Sequence, residues 1–387
     1  MGGPTGYNLV SFGLMIECEP RMGIYAEALR RAVTPGCTVI DIGAGFGIFS
    51  MLAARYGAGK VIAIEPDPAA ELILPMAKAN GCADRIEVVK DISTRYAPER
   101  KADVIVSDIR GITPLFEHHI ATIVDARERL LAPGGRLLPM RDTLRVAPVE
   151  SVRHYRPCER PWLANNYGLD LSAGQRYAAN TLAPALLKPE ALLAPSQAFA
   201  TLDYRTVTDP DVDSTVGFVA ERGGVCHGLL VWFDAEIDEG LGFSNGPDGD
   251  ELVYQQQFLP LERPVKLAPG DRIAARLRVR QVDGSYVWSW DTDIAGGPGG
   301  GSGHGFRQST FRSAVFSPDR LRPHAHDQVP QPTARMAIDR DCLALVGDGR
   351  SLQDIADALM KRHPDHFASG KDALGHVTKL LEGYRNA

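Results

Sequence analysis

A glycine-rich turn between two apolar runs constrains the fold of this chain more than any other stretch. Val39–Ile42 is a short β-branched run, and Gly43, Gly45 and Gly47 follow it. Glycine permits positive φ and a close approach of a ligand to the backbone. A helical spacing of apolar residues and a second apolar run then lead to Glu65, an acid suited to accept hydrogen bonds from both hydroxyls of a ribose. The pattern predicts a nucleotide-type cofactor at the carboxyl ends of parallel strands.

Short apolar runs alternate with helical segments as far as about residue 138, which predicts a doubly wound α/β domain. The expected strands are Val39–Ile42, Val61–Ile64, Ile86–Val89, Val104–Ser107 and Gly135–Leu138. Residues 7–33 before them show helical spacing, and Pro20 should begin or kink a helix there. After Pro139, β-rich segments are separated by Gly, Asp and Pro clusters, which predicts an antiparallel barrel or sandwich.

These changes of texture divide the 387 residues into five parts. The expected parts are N-terminal helices that complete the cofactor site (1–36), the cofactor-binding α/β domain (37–139), a β-rich domain with a partly helical arm at about 160–195 (140–316), a linker (317–335) and a small helical module (336–387). In the last part, Ser351-Leu352-Gln353-Asp354 resembles a capping box at a helix start. The glycine-rich run 296–305 is expected to be a mobile loop between two strands.

Charge and cysteine usage exclude several classes of function. The net charge is −6, the pI is near 6.0 and there is no basic block, which argues against a nucleic-acid or membrane-surface role. No apolar run is long enough to span a bilayer, and the amino terminus has no signal-like pattern. The six cysteines are scattered without a C-x-x-C pair, so we expect reduced thiols in a cytoplasmic protein and no metal site.

The spacing of the turn distinguishes between cofactors that use glycine-rich loops. The pattern begins at Asp41 and reads Asp-x-Gly-x-Gly-x-Gly, and Ile48 stands where a dinucleotide fold has its third glycine. This favours S-adenosylmethionine over NAD, with Asp41, the three glycines and Glu65 as cofactor ligands. Asp91 and Ile92 follow the third strand, where such folds often contact the adenine; a turn-capping role for Asp91 is the alternative.

Three further stretches resemble motifs of one known family. They are Met15-Ile16-Glu17-Cys18-Glu19-Pro20-Arg21-Met22-Gly23-Ile24-Tyr25, Val104-Ile105-Val106-Ser107-Asp108-Ile109-Arg110-Gly111 and Gly228-Leu229-Leu230-Val231-Trp232-Phe233-Asp234. With the glycine turn, they make the chain similar to the protein arginine methyltransferases over most of residues 7–316, as a divergent bacterial-type member. The resemblance implies a Rossmann-like class I methyltransferase domain, a β-barrel domain with a dimerisation arm, and a head-to-tail homodimer.

The resemblance also implies roles for individual residues. Arg21 falls on the arginine that binds the carboxylate of the cofactor, and Asp108 and Glu117 fall on the acidic pair that grips the guanidinium of a protein or peptide substrate. Two carboxylates hold one guanidinium nitrogen in line with the sulfonium methyl, so positioning and electrostatics supply most of the rate enhancement. The other expected substrate-binding residues are Tyr25, Arg110 and Tyr254.

Three departures from the family pattern affect the acceptor side of the site. The family has Glu at Asp108, Trp-Met at Ile109-Arg110, and a Thr-His-Trp loop near Leu252-Val253-Tyr254, so its usual active-site histidine is absent. A cation beside a guanidinium pocket repels the substrate unless Arg110 turns to solvent or pairs with an acid. Two alternatives therefore remain: a methyltransferase of a different acceptor, such as a metabolite or another peptide side chain, and a non-catalytic scaffold that retains the fold.

Two histidines, His118 and His119, stand beside Glu117 and suggest a metal or acid–base site. Adjacent residues on a helix point in different directions. A packing or surface role is therefore favoured for both.

The tail from Leu343 to Tyr384 resembles the PqqD-like peptide-recognition domains of pathways that make peptide natural products on the ribosome. The pattern Leu-Val-Gly-Asp-Gly-Arg-Ser-Leu-Gln-Asp-Ile-Ala carries the resemblance. It implies that the substrate is a precursor peptide. A structural or dimer-supporting helical module is the alternative.

Overall fold

The computed structural model of the protein describes residues 9–164, 166–296, 303–315, 327, 329–347 and 349–384. The chain divides into two compact units, Met1–Val315 and Phe316–Ala387. Most of the expected glycine-rich loop and of the linker over residues 317–335 lies outside the described residues.

A parallel sheet forms the first part of the larger unit. Its strands are β1 (Thr38–Ile42), β2 (Lys60–Ile64), β3 (Ile86–Val89), β4 (Ala102–Ser107) and β5 (Leu131–Leu138). They lie in the order β3-β2-β1-β4-β5, and all neighbours are parallel. Successive residues face different hydrophobic clusters: Ile40 and Ile105 belong to one, Val39 and Val104 to the other. Both faces are thus buried, which explains the continuous apolar runs, and the predicted α/β domain is confirmed.

Helices accompany this sheet. They are α1 (Leu9–Glu17), α2 (Glu19–Ala32), α3 (Ile48–Arg55), α4 (Ile73–Ala79) and α5 (His119–Asp125), which continues as a π-helical turn over Ala126–Leu130. The predicted break near Pro20 is confirmed, because Pro20 lies in the first turn of α2. Its missing N–H costs nothing there, since the first N–H groups of a helix have no intrahelical partner.

Antiparallel strands form the second part of the larger unit. They are β6 (Arg141–Val149), β7 (Ala183–Ala185), β8 (Gln197–Asp203), β9 (Val212–Val219), β10 (Gly224–Asp238), β11 (Leu241–Ser244), β12 (Gln256–Leu267), β13 (Arg272–Val282), β14 (Ser285–Ala295) and β15 (His304–Ser309). One sheet has the order β7-β12-β10-β6-β8 with β11 beside β10, and the other β15-β14-β13-β9. Helix α7 (Gln175–Ala178) lies within the predicted arm region of about 160–195, whereas α6 (Val152–Leu163) begins before it and overlaps only its first residues. Phe233 and Ile237 of β10 join the cluster that contains Val39, so this part packs against the parallel sheet.

The smaller unit contains α8 (Ala334–Leu343), α9 (Leu352–Arg362) and α10 (Gly370–Glu382), and its described residues include no strand. Ile338, Leu359 and Val377 contribute one side chain each from the three helices to its core. The predicted capping box is confirmed: the Ser351 hydroxyl accepts from the Asp354 N–H, and the Asp354 carboxylate accepts from the Ser351 N–H.

Candidate active site

The glycine turn lies at the point where the order of the parallel strands reverses. It follows β1, the loop with Asp108 and Ile109 follows β4, and these strands are neighbours from which the rest of the sheet extends in opposite directions. Ligands bind in the crevice at such a point. Gly43 has a φ of +72°, and a Cβ built on it would be 2.4 Å from the Cγ2 atom of Ile109. The two loops therefore meet so closely that a side chain at Gly43 would separate them.

Glu65 is anchored by the backbone that surrounds this turn. Its Oε2 atom accepts a hydrogen bond from the Gly45 N–H at 2.7 Å, and its Oε1 atom accepts one from the Asp67 N–H at 2.8 Å. Burial raises the pKa of Glu65, although both N–H donors oppose the rise. Each carboxylate oxygen keeps acceptor capacity, and the contact of Glu65 with two ribose hydroxyls stays a prediction.

Asp41 and Asp91 support the loops in which they lie. Asp41 is fully buried in β1 and accepts a hydrogen bond from the Ser50 hydroxyl at 2.7 Å. Its Oδ1 atom has no partner among the described residues, and burial raises its pKa to about 7. The Asp91 Oδ1 atom accepts from the N–H of Ile92 and from Arg95, which is a turn-capping arrangement. Ile92 is exposed. The predicted cofactor contacts of all three stay predictions.

Asp108 is the carboxylate at the centre of the site, and its side chain is only 3% exposed. Its Oδ2 atom contacts the Nε and Nη2 atoms of Arg21 at 2.6 and 2.5 Å and accepts from the Tyr254 hydroxyl at 2.5 Å. Its Oδ1 atom accepts from Nη1 of Arg110 at 2.8 Å. Burial alone would raise the pKa of Asp108, but the two guanidinium groups outweigh burial and hold the pKa below its usual value.

Arg110 turns inward and pairs with acids, which is one of the two outcomes that the sequence left open. Its side chain has no exposure. Its Nε and Nη2 atoms donate to the two oxygens of Asp142 at 2.7 and 3.1 Å, and Nη1 donates to the Tyr25 hydroxyl at 2.7 Å as well as to Asp108. The guanidinium carbon also lies 5.6 Å from the centre of the Phe233 ring.

The buried network continues beyond Asp142. Tyr204 donates its hydroxyl hydrogen to Asp142, and His119 Nε2 lies 3.0 Å from the same hydroxyl oxygen. Because a carboxylate only accepts, the Tyr204 oxygen must accept from His119, which places the imidazole proton on Nε2. Burial lowers the pKa of His119 to about 3, so the ring is neutral. His119 therefore has a packing and hydrogen-bonding role, as the sequence favoured.

Glu117 lies apart from this network. It is exposed, and its carboxylate has no hydrogen-bond or ion-pair partner among the described residues. Its φ of +40° is rare for a residue with a side chain, and its carbonyl oxygen accepts from Gln281 Nε2 at 2.6 Å. The structure thus brings together Arg21, Tyr25, Asp108, Arg110 and Tyr254 and leaves Glu117 at the surface.

Sequence reasoning missed Asp142 and Tyr204, which complete the network on the side of the antiparallel strands. The signal for Asp142 is its position in β6, where the alternate residues Asp142, Leu144 and Val146 are all buried. Across the described residues, no group of three or more His, Cys, Asp or Glu side chains is arranged to hold a metal ion. None of the helices described has an apolar stretch of the length that a bilayer requires.

Comparisons with known proteins support this view of the fold. A family model for ribosomal protein L11 methyltransferase (PrmA) matches residues 23–138, and one for the arginine methyltransferase oligomerization subdomain matches residues 141–293. The chain is 30% identical over 249 residues to a probable protein arginine N-methyltransferase 1.2 of Arabidopsis thaliana, covering 63% of this chain and 68% of that one. The chain belongs to the arginine N-methyltransferase family.

Other members of the family are also similar to this chain in sequence or in fold. The arginine N(omega)-methyltransferase of Streptomyces achromogenes is 31% identical over 271 residues, covering 68% of this chain and 74% of that one. The match to protein arginine N-methyltransferase 1 of Oryza sativa spans only 64% of that relative. Among solved structures, the Trypanosoma brucei PRMT1 enzyme–prozyme heterotetrameric complex with AdoHcy has the same fold, with a TM-score of 0.71 at 22% identity over 77% of this chain and 97% of that one.

Proposed function

We propose that this chain is an S-adenosylmethionine-dependent methyltransferase that methylates a guanidino nitrogen of arginine in a protein or peptide. The observation that carries the proposal is membership of the arginine N-methyltransferase family, with the family's cofactor-side residues gathered at the strand-order reversal. S-adenosylmethionine supplies an electrophilic sulfonium methyl group. No metal takes part.

The cofactor is held by the loops after β1 and β2. The turn from Gly43 to Gly47 allows the backbone to approach the ligand, and the Glu65 carboxylate accepts hydrogen bonds from the ribose hydroxyls. Arg21 is buried beside the site, and its guanidinium binds the amino-acid carboxylate of the cofactor. The Arg21 guanidinium also pairs with Asp108.

The acceptor arginine is oriented by carboxylates. One guanidino nitrogen attacks the methyl carbon, the sulfur–carbon bond breaks, and the nitrogen then releases a proton to solvent. Asp108 and Glu117 bind the other N–H groups and keep the positive charge away from the attacking nitrogen. Glu117 is exposed, so it takes this role only after moving towards Asp108.

Label transfer tests the assignment. Incubation with labelled cofactor and an arginine peptide is expected to give methylarginine, localised by mass spectrometry. The matched peptide with every arginine replaced by lysine serves as the control. Transfer of equal label to both peptides would exclude arginine as the acceptor.

A second candidate is methylation of a different nitrogen, such as an amine of a metabolite or peptide. It is favoured by one observation, the internal guanidinium of Arg110 on the Asp108 carboxylate. A panel of amine acceptors, scored by the site of the new methyl group, separates this candidate from arginine methylation.

Three further assignments concern the assembly, the location and the C-terminal module. The match of residues 141–293 to an oligomerization subdomain supports a homodimer, which light scattering tests.

Six free cysteines support a cytoplasmic location. The separate core of α8, α9 and α10 supports a recognition module for a ribosomally made precursor peptide. Deletion of residues 336–387 should then weaken methylation of a long precursor and spare a short arginine peptide.

The scaffold alternative has its own test. If the protein acts only as a scaffold, Asp108→Asn should leave the cellular phenotype unchanged. If it acts as an enzyme, the same substitution should reproduce the phenotype of a gene deletion.

A further inference from the structure

We infer that Arg110 is an internal competitor of the acceptor: its guanidinium takes a hydrogen-bonding position on Oδ1 of Asp108 that an acceptor guanidinium would use, so that Arg110 lowers the affinity and the turnover of the site for arginine. The inference rests on the proposed function, because it concerns the acceptor of that same reaction. It stands on the contacts of two carboxylates and two guanidinium groups, all buried.

Most of the acceptor capacity of Asp108 is in use, and about one lone-pair position on Oδ1 remains. A carboxylate offers about four lone-pair positions. Arg21 contacts Oδ2 through two nitrogens, Tyr254 donates to the same oxygen, and Arg110 donates to Oδ1. A cofactor carboxylate that recruits Arg21 would free part of Oδ2. Arg110 would still hold one of the two lone-pair positions on Oδ1.

Arg110 is held in place from its opposite side. Asp142 accepts two hydrogen bonds from it in the bidentate geometry that suits a guanidinium, and the Tyr25 hydroxyl accepts another. Asp142 is itself fixed by Tyr204. Arg110 therefore cannot leave Asp108 without also leaving a second buried carboxylate unpaired.

The charges of the site are already balanced. Arg21 and Arg110 carry two positive charges, and Asp108 and Asp142 carry two negative charges. An acceptor arginine would bring a third guanidinium. Two guanidinium groups about 4 Å apart repel each other by a factor of roughly 1,000 at an effective dielectric constant of about 20, and Asp108 and Asp142 offset part of that repulsion. An acceptor nitrogen that arrives uncharged avoids this penalty.

The test compares the wild-type protein with Arg110→Met/Asp142→Asn, which removes the internal guanidinium and its counter-charge together. Arg145→Met/Asp234→Asn is the matched control, because this Arg–Asp pair joins β6 and β10 outside the Asp108 network. For each protein, kcat/KM for an arginine peptide, binding of that peptide in the presence of S-adenosylhomocysteine, and affinity for S-adenosylhomocysteine are measured.

We expect the Arg110 variant to gain roughly 100-fold in kcat/KM and to bind the arginine peptide at least 10-fold more tightly, while its affinity for S-adenosylhomocysteine changes less than about 3-fold. The control should match the wild type. If the variant keeps its cofactor affinity but neither binds nor methylates the peptide better, Arg110 is not a competitor and the inference is overturned.

Failure of the proposed function has a different signature. If no protein methylates the arginine peptide, arginine is the wrong acceptor, and peptide binding alone then decides the role of Arg110: tighter binding by the variant supports it, equal binding refutes it. If the double variant does not fold, Arg110→Gln replaces it, because the Gln amide still donates to Asp142. The same gain in binding is expected from that variant, and equal binding overturns the inference.

Discussion

The buried pair between Arg110 and Asp142 should dominate the stability of the interface between the parallel sheet and β6. Both side chains have no exposure, and two N–H groups of Arg110 donate to the two oxygens of Asp142. Replacing one partner leaves the other as a charge without its counter-ion in a medium of low dielectric constant. We therefore predict that Arg110→Met and Asp142→Asn are each severely destabilising, whereas the double variant is close to the wild type.

The size of the effect follows from the geometry. Removal of one partner of a buried pair costs about 3–5 kcal/mol. Asp142→Asn belongs at the lower end, because Asp108 still balances Arg110 at 2.8 Å. Arg110→Met belongs at the upper end, because among the described residues Asp142 then keeps only the neutral Tyr204 hydroxyl as a hydrogen-bond partner. At about 2 °C per kcal/mol for a unit of this size, the melting temperature should fall by about 6–10 °C.

A double-mutant cycle measured by urea unfolding and calorimetry tests the prediction. The two single losses should exceed the loss in the double variant, with a coupling free energy of at least about 2 kcal/mol. In the control cycle with Arg145 and Asp234, whose side chains are 36% and 38% exposed, the coupling should be about 0–1 kcal/mol. Additive losses at Arg110 and Asp142 would refute the reasoning, because they would mean that the two charges do not compensate each other.

Three further predictions concern the cofactor side. Glu65→Gln should weaken binding of S-adenosylhomocysteine about 10- to 100-fold by calorimetry, because it removes a charged acceptor. Gly43→Ala should abolish binding, because its Cβ would collide with Ile109, whereas Gly36→Ala has a similar positive φ and open space and should cost only about 1–2 kcal/mol of stability. The pKa of Asp41, raised by burial from 3.8 to about 7, predicts a stability that falls as pH rises across that window.

The sign of the Asp41 effect comes from proton counting. Between pH 4 and 7 the folded protein holds a proton on Asp41 that the unfolded chain has released, so raising the pH removes up to ~4 kcal/mol of stability. Asp41→Asn mimics the protonated acid and should flatten this dependence in thermal unfolding at pH 5.5 and 8. An unchanged pH profile in that variant would contradict the assignment. The Glu65 prediction is contradicted if Glu65→Gln binds S-adenosylhomocysteine as tightly as the wild type. The Gly43 prediction is contradicted if Gly43→Ala and Gly36→Ala have equal effects on that binding.

Patterns of residues close together in the sequence predicted individual strands, turns and helix starts. The strand that ends at Ile42 and the glycine turn after it were predictable because buried parallel strands are continuous apolar runs and a positive φ requires glycine. The helix start at Ser351 was predictable because a capping box involves residues only three positions apart. The strand-order reversal was not visible in any one segment, since it depends on which strands become neighbours.

Strand β6 was not predicted, because the first β-rich segment expected after Pro139 begins at Thr201. It contains Pro148, and proline within a run argues against a central strand because it lacks the N–H that a ladder needs. In the structure, β8 pairs with β6 only as far as Val146, so Pro148 lies beyond the end of that ladder and keeps β10 as its neighbour. The rule therefore holds for the position of the proline, although β6 as a whole is an interior strand.

The omission of β6 and the open question about Arg110 have the same origin. From the sequence, a cation beside a predicted guanidinium pocket had two possible solutions, solvent or an acid, and the nearby acids Asp108 and Glu117 were already assigned to the substrate. The acid is Asp142, 32 residues further along the chain, on the strand that was missed. Once β6 is recognised, its alternation places Asp142 on the same buried face as Leu144 and Val146. A carboxylate on a buried face requires a counter-charge, so the strand and the partner of Arg110 would have been identified together.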